Sequence, residues 1–122
     1  MTPEGASIGS RLASFILHSG LDDWVALNWI ENWAVRAGVQ PGDETKELVL
    51  GVLEVLVNAG SIELGGVSDQ GYTPWTEPLD VMLSKIDLAW STSGPYQYGF
   101  ILWIRNTQKG DELARQEAAL RD

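Results

Sequence analysis

The chain has 122 residues, 44% apolar and 20% charged, enough for one domain spanning 1–122 around its own hydrophobic core. Its formal charge is −9, with three Lys/Arg against eight Asp/Glu in residues 1–60 and five against nine in 61–122, so no basic module rides on an acidic tail. A surface of this sign repels phosphate backbones at long range and attracts basic partners, and the absence of cysteine excludes a disulfide framework, a thiolate metal site and a Cys nucleophile.

In chain order, "MTPEG" lacks the basic start and apolar run of a secretory leader, and no apolar stretch is long enough to span a bilayer. A cytoplasmic protein with no membrane contact is expected. Ile8, Leu12, Phe15, Ile16 and Ser19 follow helical spacing and predict a first helix over about 7–18, ended by Gly20. "LDDWVALNWIENWAVRA" predicts a second helix over 21–37, capped by Ser19 or Asp22 and closed by Gly38. Its apolar residues Trp24, Val25, Leu27, Trp29, Ile30, Trp33 and Val35 nearly encircle the axis, so it needs cover on more than one side.

Pro41-Gly42 breaks the chain, and Asp43 is a natural N-cap for a third helix over 44–59. Leu48, Val49, Leu50, Val52, Leu53, Val55, Leu56 and Val57 crowd this helix. Its polar positions Glu44, Glu47, Gly51, Glu54 and Asn58 step by three and four, which draws one narrow solvent stripe. "SIELGG" over 61–66 is a short strand, and "VSDQGYTP" over 67–74 is rich in turn formers. "TEPLDVMLSKIDLAW" over 76–90 predicts a helix capped by Thr76. "YQYGFILWIRN" over 96–106 alternates like a strand, and Thr107 opens a last helix to about 120, with Leu113 and Leu120 as its main apolar contacts. The sum is an α+β chain, mostly α: three helices, then two antiparallel strands with an inserted helix, and a C-terminal helix.

"LVLGVLEVLVNAGSIELG", 48–65, resembles the third helix and first wing strand of winged helix-turn-helix domains, with Leu56, Gly60 and Ile62 at the helix end and strand start. "LWIRNTQKGDELARQ", 102–116, resembles their return strand and following helix, with Thr107, Gly110, Leu113 and Ala114 in place. Together the stretches cover about a quarter of the chain. The resemblance implies a winged-helix-like fold whose third helix faces a partner, DNA in many members. A wing is usually a short hairpin, whereas here some 30 residues separate the strands, so 67–98 forms either a wing or an inserted helix.

A groove-reading helix offers bases Arg, Lys, Asn, Gln or Ser, and phosphate neutralisation supplies most non-specific affinity. This stripe offers three carboxylates, and the candidate wing, 65–75, has Asp69 and no Lys or Arg. Arg105, Lys109, Arg115 and Arg121 gather toward the C-terminus, where a homodimer would pool them. Interleaved with Asp111, Glu112 and Glu117, they read more simply as a solvated helix face.

No catalytic set is legible. His18 is the single histidine and suits the C-terminal end of the first helix, where a charged imidazole favours the dipole. "ELGGVSDQG" lacks the lysine and spacing of a phosphate loop, the Asp22-Asp23 and Glu44/Glu47 pairs are helix starts, and ligands for zinc are scarce. The expectation is a non-enzymatic protein with no cofactor and no metal.

Six tryptophans are many for this length. Trp29, Trp33 and Trp103 are expected in the core. Trp75, in the loop "GYTPWTEP" beside Tyr72, is expected at the surface, with Tyr96 and Tyr98 of "SGPYQYG" extending the same face. The expected partner-binding residues are therefore Glu44, Glu47, Glu54, Asn58, Tyr72, Trp75, Tyr96 and Tyr98. The function expected is a protein-binding module for a partner of basic character, such as an immunity-type inhibitor or adaptor. A DNA-binding regulator and a subunit of a larger assembly are the alternatives.

Overall fold

The computed structural model describes residues 7–21, 23–92 and 102–121. Helix α1, Ile8–Ser19, is N-capped by Ser7, whose Oγ accepts the Ser10 N–H at 3.0 Å. Gly20 follows it, as expected, at a point where a Cβ would run into the Asn106 side chain.

The second helix differs from expectation. Helix α2 is Leu27–Arg36, with no side-chain cap, and the residues before it include strand β1, Val25–Ala26. Asp22 lies outside the described residues, and Ser19 ends α1 instead of capping α2. The near-complete apolar ring of "LDDWVALNWIENWAVRA" came from running a strand into a helix. Val25 is buried in the sheet, and α2 alone is amphipathic, with Leu27, Ile30 and Ala34 inward. Gly38 does close it, at φ 104°, with Val39 N–H on the Ala34 carbonyl and Gly38 N–H on the Val35 carbonyl, both at 3.0 Å. That pair of bonds is a Schellman end.

Helix α3, Asp43–Asn58, begins one residue earlier than expected: Gly42, at φ 95°, is its N-cap, and Asp43 joins Glu44 in the first turn, at the positive end of the dipole. The buried Thr45 hydroxyl secures the entry by donating to the Gln40 carbonyl at 2.6 Å. A second Schellman end at Gly60 (φ 75°) turns the chain into β2, Ile62–Ser68.

The segment read as a loop over 67–74 is largely strand. β2 and β3, Gly71–Pro74, form a hairpin across Asp69-Gln70, in the register Ser68↔Gly71 and Gly65↔Pro74. The turn formers sit in that turn, with Gly71 at φ 99°. Helix α4, Leu79–Thr92, comes next, so the connection holds both a hairpin and an inserted helix. Thr76 lies outside α4, whose first backbone bond runs from Met82 N–H to the Pro78 carbonyl. Strand β4, Trp103–Asn106, pairs with β2 as expected, placing Glu63 opposite Arg105 and Leu64 opposite Ile104. It also pairs with β1, so the described sheet has four antiparallel strands, not two, in the order β1-β4-β2-β3.

Helix α5, Gln108–Arg121, starts at Thr107 as expected, the Thr107 Oγ1 accepting the Gly110 N–H at 3.2 Å. Its inward residues are Gly110 and Ala114, whereas Leu113 stays partly exposed. The Gly110 backbone lies against the Ser61 carbonyl with no room for a Cβ, so small residues face inward there. The chain entering α5 also serves the end of α3: Thr107 Oγ1 donates to the Gly60 carbonyl, Lys109 Nζ to the Ala59 carbonyl, both at 2.6 Å, and Thr107 N–H to the Ser61 carbonyl at 3.0 Å. Helix α1 packs on α3 and α5, and α4 packs on α3, enclosing Leu12, Ile16, Ile30, Leu53, Leu64, Ile86, Leu102 and Ile104. The chain is α+β and mostly helical.

Candidate functional site

Two surfaces stand out, and the first is the outer face of α3. Burial of Thr45, Val49, Val52, Leu53 and Leu56 on one side turns Glu44, Glu47, Gly51, Glu54 and Asn58 outward, so all of the expected stripe is exposed. Val55, 65% exposed, adds an apolar spot beside Glu54 that the spacing argument assigned to the interior. Among the described residues none of these three glutamates has an ion-pair partner. Lys46, the cation of this helix, turns to α4 instead. Its Nζ lies 2.8 Å from Asp87, 3.3 Å from the Ser91 hydroxyl and 3.8 Å from Asp43. The Asp87 hydrogen bond raises its pKa above the usual lysine value, against partial desolvation.

Tyr72 and Trp75 are held more tightly than a free loop would hold them. Tyr72 lies in β3, half-buried, its ring stacked on Trp24 at 5.8 Å between centroids and covered by the Arg105 guanidinium at 4.6 Å. Arg105 is also ion-paired to Glu63 directly across the β2–β4 ladder. Burial drives the Tyr72 phenol pKa well upward, the Glu63 charge adds to this and Arg105 opposes it, so the phenol stays neutral. Trp75 is half-buried beside the core, its backbone N–H on the Leu64 carbonyl at 2.8 Å, and the Lys85 ammonium lies 4.1 Å from its ring centroid. Lys85 is in turn anchored by Glu77 at 2.6 Å. Tyr72 thus belongs to the hairpin and Trp75 to the segment after it, whereas the stripe belongs to α3. Tyr96 and Tyr98 lie outside the described residues.

The second surface is one the sequence argument missed. Trp24, Trp29 and Trp103 line an open groove of about 320 Å³ together with Ser19, Asp23, Val25, Ala26 and Asn28. Trp29, expected in the core, is 55% exposed. Once α2 starts at Leu27, the phase that buries Leu27, Ile30 and Ala34 turns Trp29 out, where it stacks on Phe15 at 6.2 Å. Trp33 is half-buried, 5.4 Å from the Phe15 ring and beneath Arg11. Trp103, also expected in the core, is half-exposed on β4 opposite Ala26. Asp23 is fixed at the rim, its Oδ1 accepting the Trp24 N–H at 2.7 Å.

His18 does not sit in a nucleophile relay. Its Nε2 is 3.1 Å from Glu117 Oε2, and Ser14 Oγ donates to that same oxygen at 2.9 Å. The carboxylate is the hub, and the three residues clip α1 to α5. Among the described residues no three His, Cys, Asp or Glu side chains are grouped to hold a metal ion, and no helix is long and apolar enough to cross a membrane. No family model, no curated protein and no solved structure matches the chain.

Proposed function

We propose that this protein is a non-enzymatic binding module on a winged-helix-like scaffold that masks a basic protein partner, as an immunity-type inhibitor or adaptor does. The observation that carries this reading is the outer face of α3: Glu44, Glu47 and Glu54 are exposed and have no ion-pair partner among the described residues, while the helix's own lysine is engaged by α4. Uncompensated carboxylates on a rigid helix raise the encounter rate with a cationic surface, and Val55 beside them offers apolar contact. The scaffold assignment is supported by α3 passing through Gly60 into β2, by β4 returning beside β2, and by α5 following at Thr107.

The same surfaces argue against nucleic acid. The β2–β3 turn presents Asp69, and Arg105 and Lys109 are occupied by Glu63 and the end of α3. An affinity pull-down from host lysate, run with and without nuclease, tests the reading. A stoichiometric partner of basic pI that survives nuclease is expected, and recovery of DNA lost on nuclease treatment would overturn it. With that partner in hand, Glu47→Gln/Glu54→Gln is expected to slow association about tenfold at low salt and to flatten its salt dependence. Unchanged kinetics would remove α3 from the interface.

A further inference from the structure

We infer that the Trp24–Trp29–Trp103 groove beside β1 is a receptor for an arginine side chain presented by the partner protein. This rests on the proposed function for the identity of the partner, but the groove's chemistry stands on its own residues. It is lined by three indoles and the β1 residues, together with the carboxylate of Asp23 and the polar groups of Ser19 and Asn28. Aromatic faces attract cations through the ring quadrupole, and a guanidinium also stacks flat on indole while donating to a carboxylate.

The rest of the molecule shows the preference at work. Trp33 carries Arg11, Trp75 carries Lys85 and Tyr72 carries Arg105, each cation within 6 Å of the ring centroid. Among the described residues Trp24, Trp29 and Trp103 have no such cation, although Trp29 is more than half exposed and Trp24 is 38% exposed. The groove thus leaves open the kind of contact that the protein's own cations make elsewhere. Asp23 stands beside it with Oδ1 held by the Trp24 N–H. The groove's volume of about 320 Å³ lies at the low end for ligand sites, which suits one long side chain better than an extended ligand. An arginine meets both demands, apolar along its stem and charged at its tip. Among the described residues the groove carries a carboxylate and no cation, in a chain of charge −9, so an anionic occupant is opposed.

The test uses the full chain, isotope-labelled, titrated with N-acetyl-arginine amide while the six indole N–H resonances are followed. Saturable shifts confined to Trp24, Trp29 and Trp103 are expected, with N-acetyl-norleucine amide, which keeps an apolar stem and lacks the guanidinium, producing none. Trp29→Ala, which removes a side chain 55% exposed, is expected to weaken binding at least about fivefold. Asp23→Asn is expected to weaken it and to reduce its salt dependence. Equal shifts with the norleucine derivative would make this an apolar cleft and overturn the assignment, as would binding unaffected by Trp29→Ala or no saturation at tens of millimolar. Glu47→Gln/Glu54→Gln, at positions that do not line the groove, is expected to leave the arginine titration unchanged. Arginine binding alongside a nucleic-acid pull-down would thus sink the proposed function and keep the groove; a basic partner insensitive to Trp29→Ala would do the reverse.

Discussion

Glu31 is held at a cost to the fold. Its Oε2 is buried and has no hydrogen-bond partner among the described residues, and desolvation raises the carboxyl pKa above the usual glutamate value. Below the unfolded value both states are protonated and nothing is lost. As pH rises, the unfolded chain ionises first, and stability falls until the folded carboxyl has ionised as well. Glu31→Gln removes that loss, so thermal unfolding of the variant at neutral pH is expected above that of the parent, with the gap closing near about pH 4. A gap of equal size at both pH values would locate the effect in packing and not in charge. Tyr72 is a second group shaped by desolvation, but its phenol gives no comparable pH window, since the shift only carries it further from neutrality.

Helix seating turns on whether a glycine has a neighbour. In α5, Gly110 packs on the Ser61 carbonyl, and Gly110→Ala is expected to destabilise by about 1–3 kcal/mol through the forced separation of the helix from the α3–β2 turn. In α3, Gly51 is exposed and a Cβ added there would meet nothing within 4 Å, so Gly51→Ala is expected to stabilise by about 0.5–1 kcal/mol through helix propensity alone. Urea unfolding of the two variants checks the opposite signs; a stabilised Gly110→Ala variant would mean that α5 is not seated on Ser61, and a destabilised Gly51→Ala variant that Gly51 has a role beyond helix propensity. The same elements show what the sequence made legible. Helices α1, α3 and α4 were readable because each repeats an apolar face over three turns or more, α5 because Thr107 marks its start, and the α3 stripe was readable residue by residue. β1 was not, since two residues carry no period and Trp24-Val25 blended into the helix that follows. β3 was hidden by its brevity and by Pro74, which an edge strand tolerates. The tryptophan groove was lost with β1: a helix begun six residues early gives Trp29 the wrong surroundings. Tyr72 and Trp75 were found by type and place, but the cations that cover them come from β4 and α4, contacts no local pattern encodes.

Across the whole molecule, charge is unbalanced in a way the ion pairs do not relieve. Lys46, Lys85 and Arg105 are consumed by Asp87, Glu77 and Glu63, and Lys109 caps α3, leaving the acids of the α3 face and of the hairpin turn to repel one another. Screening that repulsion is expected to raise the melting temperature by about 2–5 °C between about 0.02 and 0.3 M sodium chloride. A fall over the same range would mean that the attractive pairs dominate the fold.

The strand order β1-β4-β2-β3 has a consequence for biosynthesis. β4 lies between β1 and β2 in space yet leaves the ribosome after both, about eighty residues behind Val25. At typical elongation rates that interval lasts roughly 4–16 s. During it the β2–β3 hairpin forms locally, but β1 and the inner edge of β2 have no strand to pair with. The nascent chain therefore carries open strand edges beside exposed tryptophans, a form that chaperones hold and that aggregates when they are scarce. A codon change that slows synthesis just before residue 103 lengthens that exposed interval without altering a single amino acid of the finished protein.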